Sequence, residues 1–318
     1  MFTVVIPLYN KASAIITTLK SVKEQTFGDF ECLVVDDGST DTSAEVVEDF
    51  INRGGDNRFH LIRKTNGGVS SARNVGIGLA KHPYIAFLDA DDVWNKSYLD
   101  MVAYLIGTFP SCGIYGTGWC HWYGNMNGIT NIEIRKECAK CLQDTDGWPK
   151  KYVYTSSSSV VARDVFAQVG MFDERISIGE DLDMWYRVLL VYLGAFYDDT
   201  LVYYRQDAEN RLSDTSVEWE KHFVCYFSKW QQVRKKNPAF RIYFDALVAS
   251  RLFAFLESPR YRRDKIFRED VNVIRHQLSK KALSKKVILR LYFPVIFHIY
   301  WYFKHKVFKT LHYDLLTK

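Results

Sequence analysis

Three carboxylates follow one short apolar segment, and this stretch limits what the chain can fold into. The run from Tyr84 to Leu88 leads directly into Asp89, Asp91 and Asp92. Carboxylates this close together repel one another unless a positive group lies among them. Mg²⁺ and Mn²⁺ take oxygen ligands and often join a carboxylate to a substrate phosphate. The stretch therefore predicts a metal–diphosphate site at the end of a strand, and the alternative is a polar loop that caps the next helix.

Two other apolar segments end in polar residues in the same way. Residues 31–35 lead into Asp-Asp-Gly-Ser-Thr-Asp at 36–41, and residues 2–6 lead into Pro-Leu-Tyr-Asn at 7–10. Gly38 lies within the first of these turns, where it permits a tight reversal of the backbone. Open α/β sheets bind ligands at the carboxyl ends of their strands. We therefore expect all three turns to border one binding crevice.

Helical segments alternate with these strands over the first hundred residues. Thr42 and Glu45 have the spacing of a capping box at the start of one of them. The apolar periodicity predicts three helices and one more short strand: helices over 13–25, 42–52 and 70–81, and a strand over 59–62. Such alternation predicts an α/β fold in which a mostly parallel sheet is flanked by helices.

The pattern is less regular beyond residue 110. Residues 110–160 are rich in glycine and aromatic residues and are predicted to be irregular, before a returning strand at 160–162 and a short helix at 164–169. Glu180 and Asp181 then begin another helix. Carboxylates are favoured at a helix N-terminus, so helix capping alone accounts for these two residues unless chemistry also requires them.

Charge divides the chain into two parts. The net charge is +5, but residues 234–318 contain 20 Lys and Arg against 6 Asp and Glu, a balance of +14. The first 233 residues then carry −9. This asymmetry predicts different partners for an acidic first part and a basic, helical region from residue 216 onward. No recognised nucleic-acid-binding motif accompanies the basic region, so we expect no nucleic acid partner.

The basic region also carries an apolar segment, from Val287 to Phe303. Arg290, Pro294 and His298 interrupt it, whereas a transmembrane helix needs about 20 mostly apolar residues. Lysines flank the segment on both sides, as they do in helices that lie in the surface of an anionic membrane. We therefore predict peripheral membrane contact, with an ordinary buried helix and a solvated basic rim as the alternative.

The N-terminus indicates the cytoplasmic side, and that compartment sets the expectation for the cysteines. The chain runs straight into a strand, with no charged region before an apolar one, so no signal peptide is expected. Thiols stay reduced in that compartment. Cys138 and Cys141 have the spacing of a metal-binding pair, but a zinc site usually shows two such pairs. We therefore expect free thiols at the cysteines. We predict that the protein lies in the cytoplasm, on the inner face of the cell membrane.

Six short motifs resemble, in order and spacing, those of family 2 glycosyltransferases with the GT-A fold. The resemblance implies a Rossmann-like nucleotide-sugar-binding catalytic domain over residues 1–215, with the helical region 216–318 outside it. The motifs that carry the resemblance are Pro7-Leu8-Tyr9-Asn10, Val34-Val35-Asp36-Asp37-Gly38-Ser39, Asn66-Gly67-Gly68, Ser71-Ala72-Arg73-Asn74, Asp89-Ala90-Asp91-Asp92 and Gly179-Glu180-Asp181.

The resemblance implies a donor pocket made of residues from the first motifs. Pro7, Tyr9 and Asp37 would line the nucleoside pocket, with Asp37 accepting a hydrogen bond from the uracil ring. Arg73 would lie near the diphosphate. A UDP-sugar is therefore the implied donor.

The resemblance also implies which carboxylates carry the chemistry. Asp89 and Asp91 would form the Asp-x-Asp element, with Asp91 as the direct ligand of Mn²⁺ or Mg²⁺, and Asp181 would be the general base. A divalent cation neutralises the charge that a departing nucleoside diphosphate gains. A carboxylate on the opposite face removes the proton of the acceptor hydroxyl, and a single displacement inverts the anomeric centre.

Two departures from related enzymes narrow the expected reaction. Processive synthases of this superfamily carry Gln-x-x-Arg-Trp, but here Gln231 to Arg234 is followed by Lys235. Related nucleotidyltransferases carry a glycine-rich N-terminal loop, which residues 6–10 do not form. We expect a non-processive enzyme that moves one sugar to a glycan acceptor, such as a lipid-linked oligosaccharide.

Two alternatives stay open at the level of sequence. A polyprenyl phosphate acceptor is already an anionic nucleophile, so its transferase would need no general base. The other alternative is a nucleotide-sugar-binding or scaffold protein with a degenerate site, and the presence of every expected carboxylate argues against it. The donated sugar is not predicted.

Overall fold

A computed structural model describes most of the chain, and the chain divides into two compact units. The units are Met1–Phe223 and Val224–Lys318. Residue 215, where the sequence placed the end of the catalytic domain, lies outside the described residues, as does the apolar segment 287–303. The described residues are 1–123, 138–142, 154–208, 218–257, 261 and 264–279.

The first unit is built on one mixed sheet. In spatial order the main strands are β3-β2-β1-β4-β8-β6-β9-β5, and β7 pairs with β9. The nine strands of the described residues are β1 Phe2–Leu8, β2 Phe30–Asp36, β3 Phe59–Arg63, β4 Tyr84–Phe87, β5 Val93–Trp94, β6 Cys112–Trp122, β7 Ala139–Cys141, β8 Ser159–Ala162 and β9 Leu193–Arg205.

The parallel half of this sheet brings the predicted turns to one edge. Strands β1 to β4 pair in parallel, with Leu8 opposite Asp36 and Val5 opposite Phe87. Their carboxyl ends, and the polar residues that follow them, therefore lie side by side. The predicted α/β fold is confirmed, although β8 runs antiparallel to both β4 and β6.

Helices cover both faces of the sheet because successive strand residues point to opposite sides. Val4 and Ile6 pack in the same core as Leu19, whereas Val5 packs in a second core with Trp185. The α-helices of this unit are α1 Ile15–Lys23, α2 Ser43–Gly54, α3 Val69–Leu79, α4 Tyr98–Thr108, α5 Val165–Val169 and α6 Glu180–Leu189. Short 3₁₀ segments are Ser156–Ser158, Trp219–Lys221 and Phe223–Trp230, the last reaching into the second unit.

Two details of the sequence prediction are wrong. The region expected to be irregular contains β6, an 11-residue strand. Its glycines hid it, yet tertiary contacts require them, because a Cβ on Gly116 would lie 2.6 Å from the Tyr154 ring. The capping box is also absent, since the Thr42 side chain makes no capping hydrogen bond. The Asp41 carboxylate instead accepts the Ser43 backbone N–H at 2.9 Å.

The described part of the second unit is helical, as predicted. Its helices are α7 Gln231–Lys236, α8 Pro238–Glu257 and α9 Lys265–Gln277. Phe240 and Phe244 stack at 5.1 Å between ring centroids, and Arg234 pairs with the fully buried Asp245 at 2.6 Å. Across the described ranges, no helix is both long and apolar enough to cross a membrane.

The cysteines form no disulfide bonds. All six, including Cys138 and Cys141 beside and within β7, carry free thiols. Cys138 and Cys141 are partly buried and pack against the core that lies under α1 and α4. The structure thus shows no disulfide at the six cysteines, and the preference for free thiols over a zinc site stays a prediction.

Candidate active site

Asp37 lies directly after β2 and is held by a network of hydrogen bonds. Its Oδ1 accepts the Gly67 N–H at 2.9 Å and the Lys64 ammonium at 2.5 Å, and its Oδ2 accepts the Gly68 N–H at 2.7 Å. The side chain is buried. A carboxylate offers about four lone-pair sites, so one remains for a further donor such as a ring N–H.

The turn before this network needs glycine. Gly38 has φ +72°, and a Cβ there would lie 2.9 Å from the Asn66 backbone nitrogen. The tight turn predicted at Gly38 is confirmed. Because the turn approaches Asn66 so closely, it brings the segment with Gly67 and Gly68 within reach of Asp37.

The turn after β1 is clamped to the turn after β2. Pro7 is buried within β1, and Tyr9 is exposed just beyond it. Asn10 has φ 51°, a left-handed conformation. Its backbone N–H donates to Ser39 Oγ at 3.1 Å, and its side-chain oxygen accepts the Thr40 N–H at 2.8 Å. The two polar turns therefore form one rigid rim.

Asp89 and Asp91 each bind a basic side chain. Asp89 Oδ1 accepts from Arg73 Nη2 at 2.7 Å, and Asp91 Oδ2 accepts from Lys11 Nζ at 2.6 Å. Both carboxylates keep some exposure, 29% for Asp89 and 15% for Asp91. The positive groups that relieve their repulsion are thus present in the chain itself.

Asp92 has a structural role beside them. It is buried, accepts a hydrogen bond from the Ser157 hydroxyl, and accepts the Arg205 N–H at 2.9 Å. Burial raises the pKa of Asp92 well above its usual range, and the charges of Asp91 and Asp89 raise it further. Asp92 therefore ties the acidic turn to β9.

Arg73 joins the acidic turn to helix α6. Its guanidinium, 2% exposed, binds Asp89 through Nη2 and Glu180 Oε1 through Nη1, each at 2.7 Å. Its Cζ also lies 5.4 Å from the centre of the Phe172 ring. Both terminal nitrogens thus serve carboxylates of the chain, an arrangement that the sequence pattern did not suggest.

Glu180 and Asp181 differ in their surroundings although they are adjacent. Burial raises the pKa of Glu180 to about 7, Arg73 opposes the rise, and the Asp181 charge adds to it. Asp181 is half-buried, and its Oδ1 accepts the Leu182 N–H at 2.7 Å. Gly179, with φ +79°, begins the helix, where a Cβ would lie 2.4 Å from the Phe223 ring. The predicted helix start is confirmed.

The acidic turn fits a cation that the substrate helps to bind. Among the described residues, no three His, Cys, Asp or Glu side chains converge on one point as a complete metal cage would require. Mg²⁺ is commonly held by one or two carboxylates together with substrate phosphates. Asp91 and Asp89 supply oxygen donors of that kind, so the donor set suits a metal–diphosphate complex.

The sequence patterns did not predict a role for Lys11, and they predicted only part of the role of Glu180. Lys11 directly follows Tyr9 and Asn10. Its position next to a polar strand end is the sequence feature that could have indicated its place in the site. The sequence pattern explained Glu180 as a helix cap, whereas in the structure it is the partner of Arg73. Neither contact follows from local spacing, because the paired residues are 80 and 107 positions apart.

The mixed sheet, with polar turns at the carboxyl ends of its parallel strands, is the GT-A fold of glycosyltransferases. The description "Glycosyl transferase family 2" matches residues 3–154. This match covers just under half of the chain and confirms the motif-based recognition of a family 2 glycosyltransferase domain, so the protein is an enzyme.

Curated relatives and solved structures agree with that assignment. The chain is 25% identical to glycosyltransferase GlyG of Streptococcus pneumoniae over 239 residues, which cover 72% of this chain and 79% of GlyG. It is 44% identical to the amylovoran biosynthesis glycosyltransferase AmsB of Erwinia amylovora over 196 residues, 58% of this chain and 63% of AmsB. The chain thus spans less than two thirds of AmsB.

A structure of S. aureus TarS 1-349 in complex with UDP-GlcNAc shares the fold. The TM-score is 0.66 at 18% identity, and the match covers 93% of this chain and 87% of that chain. At this level of identity the likeness concerns the fold alone.

Proposed function

We propose that this enzyme is an inverting, metal-dependent and non-processive glycosyltransferase that moves a sugar from a UDP-sugar to a glycan acceptor. The observation that carries the proposal is the arrangement of two carboxylate groups around one cation of the chain: Arg73 connects the Asp-x-Asp turn to the helix that begins at Glu180 and Asp181. One group serves the leaving diphosphate, and the other serves the acceptor.

The donor binds along the rim formed by the turns after β1 and β2. Pro7 and Tyr9 contact the nucleoside, and Asp37 uses its remaining lone pair to accept from the uracil ring. Complexes of TarS with UDP-GlcNAc and with UDP support a uridine nucleotide as donor. Arg73 lies near the diphosphate and acts on it by holding Asp89 in place.

Asp91, with Asp89 in support, would hold Mn²⁺ or Mg²⁺. The cation supplies charge neutralisation as the glycosidic bond breaks. The partial exposure of both carboxylates leaves them accessible to the arriving nucleotide.

Asp181 removes the proton of the acceptor hydroxyl. Glu180 is a poorer candidate, because it is buried and its Oε1 is already bound by Arg73. A base must come within hydrogen-bond reach of the proton that it takes, and half-buried Asp181 is the more accessible of the two. Its position in the first turn of α6 keeps its backbone rigid.

The acceptor is proposed to be a lipid-linked oligosaccharide of a cell-surface polysaccharide. The likeness to AmsB, named for amylovoran biosynthesis, supports a role in polysaccharide synthesis. The balance of +14 over residues 234–318 supports an anionic membrane surface on the cytoplasmic side. The lysines that flank residues 287–303 are the groups proposed to contact it.

A donor screen tests the proposal directly. The purified protein is incubated with a panel of nucleotide sugars, Mn²⁺ and candidate acceptors, and release of the nucleoside diphosphate is measured. We expect release from one or a few UDP-sugars only, and an increase when the acceptor is present. Absence of turnover with every donor and acceptor would favour the scaffold alternative.

A further inference from the structure

Lys11 binds the carboxylate that is proposed to bind the metal. Its Nζ lies 2.6 Å from Asp91 Oδ2, and the two side chains are 12% and 15% exposed. A charge-assisted bond of this length is a strong one. The contact joins residues that are 80 positions apart in the sequence, so it is a product of the tertiary fold.

The backbone of Lys11 is held in place by its neighbours. Asn10 adopts a left-handed conformation, the one instance at a non-glycine residue in the described chain. Such a conformation is costly and persists where the surrounding contacts determine it. The Lys11 N–H also donates to Ser43 Oγ at 2.7 Å. The four-carbon side chain of Lys11 can therefore move while its backbone stays fixed.

An ammonium and a divalent cation on the same carboxylate lie close enough to repel each other. Magnesium binds oxygen at about 2.0–2.1 Å, so a metal on Asp91 Oδ2 would lie within a few ångströms of the Lys11 ammonium. Like charges at that distance repel strongly in a partly buried site. Binding of either cation to Asp91 therefore weakens the binding of the other.

We propose that Lys11 competes with the divalent cation for Asp91 and so sets the metal affinity of the site; this inference rests on the metal role proposed above for Asp91. Lys11 compensates the Asp91 charge while no nucleotide is bound. When the metal and the diphosphate arrive together, the ammonium leaves Asp91, and the negative charge of the diphosphate favours that exchange. Lys11 is a positioning residue in this scheme, because it acts through Asp91.

The test compares two variants, each of which loses one lysine charge at a different position. Lys11→Met keeps the length of the side chain without its charge, and Lys20→Met removes an exposed lysine of α1. Free Mn²⁺ is measured by electron paramagnetic resonance during titration, with and without saturating UDP. We expect Lys11→Met to bind Mn²⁺ roughly two- to tenfold more tightly than wild type, the range for a partly exposed charge pair, and Lys20→Met to behave as wild type.

A second measurement uses the unchanged protein and so does not depend on folding of a variant. Acylation of Lys11 by an amine-reactive reagent is followed by mass spectrometry in the presence of saturating UDP, with and without Mn²⁺. We expect Mn²⁺ to increase the rate at Lys11, because the ammonium is released from Asp91, and to leave the rate at Lys20 unchanged.

The outcomes separate this inference from the proposed function. Unchanged or weaker Mn²⁺ binding by Lys11→Met, or acylation of Lys11 that does not respond to Mn²⁺, overturns the competition and leaves the transferase proposal standing. If neither wild type nor Lys11→Met binds Mn²⁺ in the presence of UDP, the competition and the metal dependence both fall. Nucleotide release in the donor screen then still decides whether the protein is a transferase.

Discussion

Arg73 and Glu180 form a buried ion pair, with Nη1 2.7 Å from Oε1, and the same guanidinium binds Asp89. The pair joins helix α3 to the first turn of α6, while the contact with Asp89 adds the end of the β4 segment. A single side chain thus links the turn proposed to bind the metal with the helix that carries the proposed base. The position of the acidic turn therefore depends on the position of helix α6.

Replacing Arg73 should damage both stability and activity. Arg73→Met leaves Asp89 and Glu180 without their cation, and breaking a buried pair on one side typically costs about 3–5 kcal/mol. Protonation of Glu180 reduces that cost, so we expect a loss of roughly 1–4 kcal/mol in urea denaturation. Arg73→Lys should be intermediate, because an ammonium cannot span two carboxylates as a guanidinium does. Unchanged stability of Arg73→Met would show that the link is not needed.

Glu180 should make the protein less stable as the pH rises toward neutrality. Its pKa is raised to about 7 in the folded state from 4.5, so between these values the folded protein binds more protons than the unfolded chain. The free energy of unfolding then decreases with rising pH over about pH 4.5–7. Glu180→Gln should flatten this dependence, whereas exposed Glu24→Gln should retain it. Denaturation curves at several pH values measure both, and an identical slope in Glu180→Gln would refute the assignment.

Metal dependence should depend on Asp91. Asp91→Ala should lose most turnover and the metal-dependent part of UDP binding, because the direct oxygen ligand is gone. Asp49→Ala, on the exposed side of α2, should behave as wild type. Activity and UDP affinity are measured with Mn²⁺, with Mg²⁺ and with excess EDTA. Full activity in EDTA would contradict the metal requirement.

Loss of the Asp181 carboxylate should slow chemistry and spare binding. Asp181→Asn keeps the shape of the side chain but cannot accept a proton, and acid–base groups typically contribute about 10²–10⁴-fold. We expect the turnover number to fall by that factor while UDP-sugar affinity stays within a small factor of wild type. Wild-type turnover by this variant would point to a polyprenyl phosphate acceptor, whose anionic oxygen needs no base, or to Glu180 in its place.

Residues 287–318 should hold the enzyme on anionic membranes. Each basic residue near such a surface contributes about 1 kcal/mol, and salt weakens the attraction. Deletion of these residues should prevent flotation with phosphatidylserine vesicles at low salt and reduce transfer to a lipid-linked acceptor. Transfer to a soluble acceptor analogue should be retained. A full-length protein that does not associate with the vesicles at low salt would contradict this prediction.

Part of the site could be predicted because its signals are local. The apolar strands before Asp37 and Asp89 and the glycine in the Gly38 turn are short-range patterns, and parallel pairing then places the strand ends together. The start of α6 at Gly179 and Glu180 was likewise readable from the residues alone. For the same reason the order of motifs was enough to indicate the family.

The amino-acid sequence by itself thus determined the α/β class, the family and the set of carboxylates, because short-range patterns of neighbouring residues indicate each of them. The tertiary structure decided which cation each carboxylate binds, because Lys11 and Arg73 meet their partners only after distant segments pack. It also decided that the glycine-rich residues of β6 form a strand, where Gly116 makes room for the Tyr154 ring. Long-range packing overrides local propensity at such positions. The residues adjacent in the sequence therefore do not predict the strand or its contacts.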